Sequence, residues 1–366
     1  MPSNQQTRSV QIIVPARNEQ DSIGRCLQSL VAQQDIQFAI TLVDDGSTDG
    51  TRAIAESFAA VTVISSGEPA AGVTGKCNAL MLAVAHQVNS AQAGDSNSEW
   101  LLFTDADTFH CPGSLAAAVA EAEEREVDLL SYSPEQEAIT WGEQALMPVV
   151  FAELVRLYPP ERTNDPTDPT AAANGQYLLV RRSIYEALGG HAAVAHCVLE
   201  DVELARLFKT AGHKIWFRHG TGLVKTRMYR SFSAMVEGWT KNLALLFPHP
   251  VRLALFRLLE FGIIATLTMT GIMMVHDHLI MALSLLGVAT LFYLQFMMRI
   301  KKAQFPWRAN LMAVFGVPLF VFLLLRSYLH SSVRGAVHWK GRKYVHSAPP
   351  AMVDSSTLKG NSIFKG

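Results

Sequence analysis

The stretch Leu101-Leu102-Phe103-Thr104-Asp105-Ala106-Asp107-Thr108 sets three apolar residues directly before two acids separated by one residue. The apolar run has the character of a buried strand end. Side chains alternate along a strand, so Asp105 and Asp107 are expected to point to the same side. Two carboxylates converging at the carboxyl end of a parallel strand make a place for a hard divalent cation. Mg²⁺ or Mn²⁺ takes oxygen ligands and shares them with substrate phosphates. In open α/β sheets ligands sit beyond those strand ends. The stretch therefore reads as the site where a nucleotide diphosphate is held through a metal.

The rest of the chain must position those acids. It has 366 residues, enough for one large or two ordinary domains, of which 49% are hydrophobic and 17% charged. That charge content is low for a purely soluble protein. The net charge of −1 gives no sign of a nucleic-acid partner. Cys26, Cys77, Cys111 and Cys197 show no paired spacing and read as reduced thiols rather than a disulfide frame or a zinc site. Residues 1–9 are polar and carry no signal-peptide pattern.

Val10–Val14, stopped by Pro15, reads as a first strand, with Asp21 or Ser22 capping a helix that carries Ile23, Leu27 and Leu30 at helical spacing. Ala39–Val43 is a second strand, running into Asp44-Asp45-Gly46-Ser47-Thr48-Asp49, a loop of acceptors and turn formers. Val61–Ile64 follows as a third strand, and Gly72–Leu80 opens a helix. Strand and helix alternate up to the Asp105/Asp107 strand, which predicts an α/β fold with a mostly parallel sheet and helices on both faces. Beyond it come a helix near 113–126, a strand at Val127–Tyr132, an apolar helix over Trp141–Tyr158 facing an oily substrate, and a Pro/Asp/Thr loop over Asn164–Thr170 suited to a mobile cover. A strand at Gln176–Val180, helices after Arg181 and from Leu199, and a last strand over Lys214–Arg218 complete the sheet.

From Met228 the pattern changes. Met228, Phe232, Met235, Trp239, Leu243 and Leu246 recur every three or four residues, opposite Arg230, Ser233, Glu237, Lys241 and Asn242. This is an amphipathic helix over 228–250, read as lying in the bilayer interface. The plainer alternative is a helix packed on the sheet domain. Phe256–Val275, Leu279–Met298 and Leu311–Leu329 are each long enough to span a hydrocarbon core. Arg299, Lys301, Lys302 and Arg308 mark the loop after the second as cytosolic. Arg334, Lys340, Arg342 and Lys343 mark the tail as cytosolic too, which a third full span would contradict; Gly316 and Pro318 leave a re-entrant hairpin open. The organisation expected is a catalytic domain over 1–227, the interfacial helix over 228–250, a membrane region of two or three spans over 251–330, and a basic tail over 331–366.

Val14-Pro15-Ala16-Arg17-Asn18-Glu19, Val43-Asp44-Asp45-Gly46-Ser47-Thr48-Asp49, Gly75-Lys76-Cys77-Asn78-Ala79-Leu80, Asp105-Ala106-Asp107 and Leu199-Glu200-Asp201-Val202 occur in that order. Together they resemble the family 2 glycosyltransferases of GT-A fold, over about residues 10–245. Asn174-Gly175-Gln176 through Arg182, Ala187-Leu188-Gly189-Gly190-His191 and the tail Trp339-Lys340-Gly341-Arg342-Lys343-Tyr344 resemble the membrane-bound branch that includes hopanoid-associated and carotenoid glycosyltransferases. The resemblance implies that Asp45, with Asp44, accepts from the nucleotide base, that Glu19 sits near the ribose or base, and that Lys76 pairs with phosphate. It implies Asp105 and Asp107 as the metal pair, Asp201 as catalytic base, and inversion at the anomeric carbon by single displacement.

The chemistry demanded agrees with those roles. A departing nucleotide diphosphate needs a cation, and an attacking hydroxyl needs a carboxylate within reach. Asp201 falls at a helix start, where the dipole favours an ionised carboxylate. Each motif has a plainer alternative: an N-cap pair for Glu200-Asp201, an aspartate-rich turn for Asp105-Ala106-Asp107 and for Asp44-Asp45-Gly46, a surface lysine for Lys76. No Gly-x-Gly-x-x-Gly follows the first strand, and Gly75-Lys76 lacks P-loop spacing. Processive relatives carry Gln-x-x-Arg-Trp after the base; here Lys225–Arg230 stands instead, with Arg227 or Arg230 available for the diphosphate or for lipid headgroups. His191, His196, His213 and His219 show no metal-ligand spacing. The expected protein is a multi-pass inner-membrane transferase with its catalytic domain on the cytosolic side. It moves one sugar from a nucleotide sugar such as UDP-glucose to a membrane lipid. The rivals are a polysaccharide or polyprenyl-phosphate glycosyltransferase and a catalytically silent nucleotide-binding membrane scaffold.

Overall fold

The computed structural model of the protein describes residues 9–90, 98–334, 336–339 and 342–345. In chain order the first half contains β1 (Ser9–Ala16), α1 (Ile23–Val31), β2 (Gln37–Asp44), α2 (Thr51–Glu56), β3 (Val61–Ser65), α3 (Gly75–Ser90), β4 (Trp100–Phe103), β5 (Thr108–His110), α4 (Ser114–Glu124), β6 (Leu129–Ser133), β7 (Glu135–Gln136) and α5 (Trp141–Leu157). Then come α6 (Pro160–Thr163), β8 (Leu178–Arg181), α7 (Arg182–Ala187), α8 (Gly190–Ala193), α9 (Glu200–Thr210), β9 (Ile215–His219), β10 (Val224–Thr226) and α10 (Phe232–Asn242). A 3-10 turn (Leu243–Leu246) leads to the long helices α11 (Pro250–Met273), α12 (Leu279–Lys301) and α13 (Trp307–Arg334), and a hairpin of β11 (Ala336–Trp339) and β12 (Arg342–Val345) follows.

The main sheet has seven strands in the order β3-β2-β1-β4-β8-β6-β9, parallel except for β8, which runs against both β4 and β6. It is therefore mostly parallel, with helices on both faces, as expected. Its strands are apolar on both sides, and alternate residues serve opposite cores. Ile12, Leu102, Leu130 and Leu179 join α1 and α4 on one face. Ile13, Leu101, Leu129 and Leu178 join α3 and α9 on the other. A second, three-stranded sheet, β5-β10-β7, crosses the carboxyl ends of this layer and was not foreseen from the sequence.

Two sequence expectations are corrected here. Asp105 and Asp107 do not sit on a strand, since β4 ends at Phe103 and β5 starts at Thr108; a turn closed by Thr108 N–H on the Asp105 carbonyl at 3.2 Å presents them. The loop over 164–170 is stapled rather than loose: the Asn164 side chain pairs with the Phe217 backbone in both directions, and Lys209 Nζ donates to the carbonyls of Thr163 and Thr170.

The amphipathic stripe after Met228 is also spent differently. Met235, Trp239 and Leu243 are buried against α5 and α13, leaving Phe232 exposed. This face covers the helices α5 and α13; a stripe at helical spacing looks the same whether it covers protein or lipid. Helix α5, begun by a capping box between Thr140 and Glu143, also gives its apolar surface to α13. Three helices, Pro250–Met273, Leu279–Lys301 and Trp307–His330, are long and apolar enough to cross a membrane. Helix α13 continues through Pro318 unbroken, so the third segment is no hairpin.

Candidate active site

The loops leaving β1, β2 and β4 at their carboxyl ends, the start of α3, the bend before β8 and the start of α9 enclose one large cleft. Glu19, Asp45, Lys76, Asp105, Asp107, Asp201, Arg227 and Arg230 all line it, over a cavity of about 760 Å³. Residues some 180 positions apart are thus brought together by the sheet order alone, which sets β4 beside β1 and carries the chain back through β8.

The turn that presents Asp105 and Asp107 is held from several directions. Gln176's carbonyl accepts from Thr104 Oγ1 at 2.8 Å and from Thr108 Oγ1 at 3.4 Å, and Thr226 Oγ1 donates to the Asp107 carbonyl at 3.3 Å. Burial, then the charges of Asp105 and Glu19, push the Asp107 carboxyl up to about 7. Its Oδ1 is buried with no hydrogen-bond partner among the described residues. A lone buried carboxylate oxygen beside a second carboxylate fits a divalent cation, which would supply the missing partner. Among the described residues no third His, Cys, Asp or Glu completes a cage. A metal held by Asp105 and Asp107 would keep oxygen positions for phosphate, the usual habit of Mg²⁺.

Lys76 ties the Asp105 turn to the α9 start. Its Nζ lies 2.8 Å from Asp105 Oδ1 and 3.0 Å from Glu200 Oε1. Burial lowers its proton affinity, but the charges of Asp105, Glu200 and Asp201 outweigh it and keep the ammonium well charged. Burial opposes ionisation of Glu200 too, yet Lys76 holds that carboxyl below its ordinary range. Asp201 stands apart: burial, then Glu200's charge, raise it to about 6, against the pull of Lys76. Its Oδ2 accepts from Gly175 N–H and its Oδ1 from Val202 N–H, both at 2.8 Å. An ionised carboxylate near neutrality, fixed by backbone donors, is suited to take a proton.

The other sequence candidates divide. Asp45 lines the cleft and accepts from Ser66 Oγ at 2.7 Å, with Arg17 beside it. Asp44 is not among the cleft residues; it is buried, and its Oδ1 accepts from Ser47 N–H to close the turn. Of the pair, Asp45 alone lines the cleft. Ser22 stands at the N-cap of α1 as one of the two expected candidates, but its Oγ donates to Glu19 and makes no side-chain capping bond. Arg227 lines the cleft while paired to Glu143 of α5 at 3.3 Å, and Arg230 lines it exposed. Of the histidines, His191 is buried on Tyr185, and burial lowers it to about 4. His219 lines the cleft, as do Gly175 and Gln176. Reasoning from sequence missed Glu200 as Lys76's partner and Gly175 as Asp201's donor. Their only local signal was adjacency, since each acts through a residue far away in the chain.

Residues 11–189 match the profile of glycosyl transferase family 2. Over 352 residues, 92% of this chain and 88% of the relative, it is 29% identical to 4,4'-diaponeurosporenoate glycosyltransferase of Staphylococcus aureus strain MRSA252. The enzyme of the same name from strain bovine RF122 / ET3-1 is 28% identical over the same shares. Among solved structures it is similar to a mannosyltransferase from Pyrobaculum calidifontis in complex with GDP-Man and Mn²⁺, with 17% identity, 89% and 87% of the two chains covered and a TM-score of 0.47. Glucosyl-3-phosphoglycerate synthase from Mycobacterium tuberculosis, in complex with Mn²⁺ and UDP-glucose, gives 18% identity, 65% and 78% coverage and a TM-score of 0.42.

Proposed function

We propose that this glycosyltransferase is inverting and moves a single hexose from a nucleotide-sugar donor such as UDP-glucose to a hydroxyl or carboxyl of a membrane lipid. The acceptor would be a carotenoid or hopanoid, reached from the cytosolic side of the inner membrane. The observation that carries this reading is the make-up of the cleft. Its polar half holds Asp45, Lys76, Asp105, Asp107 and Asp201. Its other half is lined by Phe151, Leu154, Val155, Tyr158, Met228, Tyr229, Trp239 and Leu246, from α5, the segment before α10, α10 and the turn that follows it. The same α5 packs on the long apolar helices, so an oily acceptor can pass from bilayer to site along apolar surface.

Asp45 and Glu19 would hold the nucleoside, and Lys76, with Arg227 or Arg230, the diphosphate. Asp105 and Asp107 would hold Mg²⁺ or Mn²⁺, which when bound neutralises charge on the departing diphosphate. Asp201 would accept the acceptor's proton as its oxygen attacks the anomeric carbon from the opposite face, and a single displacement inverts that centre. The likeness over 92% of the chain to diaponeurosporenoate glycosyltransferases supports the acceptor class. The test is radiolabelled UDP-glucose given to the full chain in lipid vesicles with Mn²⁺ and a carotenoid or hopanoid acceptor. Label entering the organic phase supports the reading. Labelled polymer would favour polysaccharide synthesis, label on added polyprenyl phosphate that rival acceptor, and absence of both turnover and metal-dependent nucleotide binding a silent scaffold.

A further inference from the structure

We propose that α13, although long and apolar enough to cross a membrane, does not cross it. On this inference α11 and α12 are the two spans. Helix α13 lies beneath the catalytic domain as a platform resting on the lipid surface, and keeps the chain on the side to which α12 has returned it.

The geometry starts from the hairpin of α11 and α12. Arg299 Nη1 of α12 bonds Glu260 Oε1 of α11 at 2.7 Å, and a Cβ on Gly271 would meet Leu286 at 2.8 Å. The near end of the hairpin is thus the start of α11 with the end of α12, and its far end is the link over 274–278. A third span would begin near Lys301 and end level with that link. Helix α13 ends elsewhere. Ser327 Oγ accepts from Ala244 N–H at 2.9 Å, and Phe247 and Phe320 rings pack edge to face at 6.3 Å. Tyr328 lines one groove with Pro248, Arg252, Leu255 and Leu259, at the near end of α11. Before α13, Phe305 packs on Phe151 of α5 at 5.8 Å, and Gly316 touches the Ala145 carbonyl so closely that no Cβ would fit. The helix therefore packs on α5 in its first half and on the 3-10 turn and the near end of α11 in its last turns.

The burial pattern agrees. Half of the apolar window of α13 is buried in protein, against 22% for α11 and 17% for α12. Ala313, Val317, Phe320 and Leu324 form the protein face, while Phe315, Phe322 and Leu329 are more than half exposed. Leu259 and Met269 of α11 and Leu283 and Leu291 of α12 are likewise more than half exposed, so lipid rather than a protein partner is the occupant assigned to that face. Arg308 and Arg326 of α13 are exposed, as are Lys301 and Lys302 at the end of α12, and Trp307 is 67% exposed at the start of α13, the residues that favour an anionic headgroup layer. An even number of crossings also removes the conflict over the basic tail.

The test places one epitope tag at the amino terminus, one at the carboxyl terminus and one inserted at Asp277 of the full chain, and reads antibody access in spheroplasts before and after permeabilisation. Both terminal tags are expected on one side and the Asp277 tag on the other, whichever side the catalytic domain takes, so the outcome is independent of the orientation proposed above. Terminal tags on opposite sides would overturn the platform. A fluorophore on Phe322→Cys in vesicles supplies a second readout. Stronger quenching by nitroxide near the lipid headgroup is expected, and stronger quenching by nitroxide at the acyl-chain end would mean that α13 spans.

Discussion

The backbone N–H of Gly175 donates to Asp201 Oδ2 at 2.8 Å, and a Cβ placed on Gly175 would lie 2.8 Å from Lys76 Nζ and 3.5 Å from that same carboxylate oxygen. One glycine thus fixes the orientation of the proposed base and leaves room for the lysine that links it to the Asp105 turn. Gly175→Ala is expected to fold and to lose most transfer activity, because Lys76 must shift from Asp105 and Glu200. Sugar transfer and the thermal melt, measured side by side, check this; undiminished transfer would show that the Lys76 bridge is dispensable.

Asp201→Asn keeps the shape and one of the two acceptor oxygens but cannot take a proton. The expected loss in turnover is about 10²–10⁴-fold, the usual worth of a positioned base. Metal-dependent nucleotide binding should survive, as titration calorimetry with UDP and Mn²⁺ would show. Equal loss of binding would mean that Asp201 serves the donor instead.

The pH dependence follows from the same carboxyl. Asp201, held at about 6 by burial and by Glu200, is active ionised, so turnover should fall as pH drops through about 6 and level off above it. Glu200→Gln removes the like charge and should move that acid limb to lower pH. An unmoved limb would assign it to another group.

Asp107 is raised to about 7 by burial, Asp105 and Glu19, so its ionised form costs stability in the metal-free fold. A carboxyl raised on folding contributes stability below its unfolded value near 4, which is lost as pH rises through about 7. Asp107→Asn should therefore melt higher than the parent at pH 8 without metal, by on the order of 1 kcal/mol. Asp107→Ala should lose metal-dependent nucleotide affinity. Affinity unchanged by Asp107→Ala would refute the metal role.

Glu153 of α5 is fully buried, with its Oε1 2.7 Å from Arg257 Nε and 3.4 Å from Arg299 Nε. It joins the catalytic domain to both hairpin helices. Glu153→Gln leaves Arg257 and Arg299 to share Glu260 alone, one buried cation in excess, and should destabilise the protein by up to about 3–5 kcal/mol. Unfolding in detergent measures the loss.

The order of strands and helices, the acids of the cleft and the three long apolar segments were legible in the sequence, because each rests on local pattern: apolar runs, turn residues, helical spacing and motif order. Only the tertiary structure decided what each surface faces. Asp44 and Asp45 are neighbours of one type, yet one closes a turn and the other lines the cleft. The stripe of Met235, Trp239 and Leu243 and the apolar length of α13 announced lipid, and were spent wholly or half on protein. Hydrophobic burial has no direction and is satisfied by a neighbouring helix as well as by a bilayer, so the identity of the partner appears only when the chain is folded.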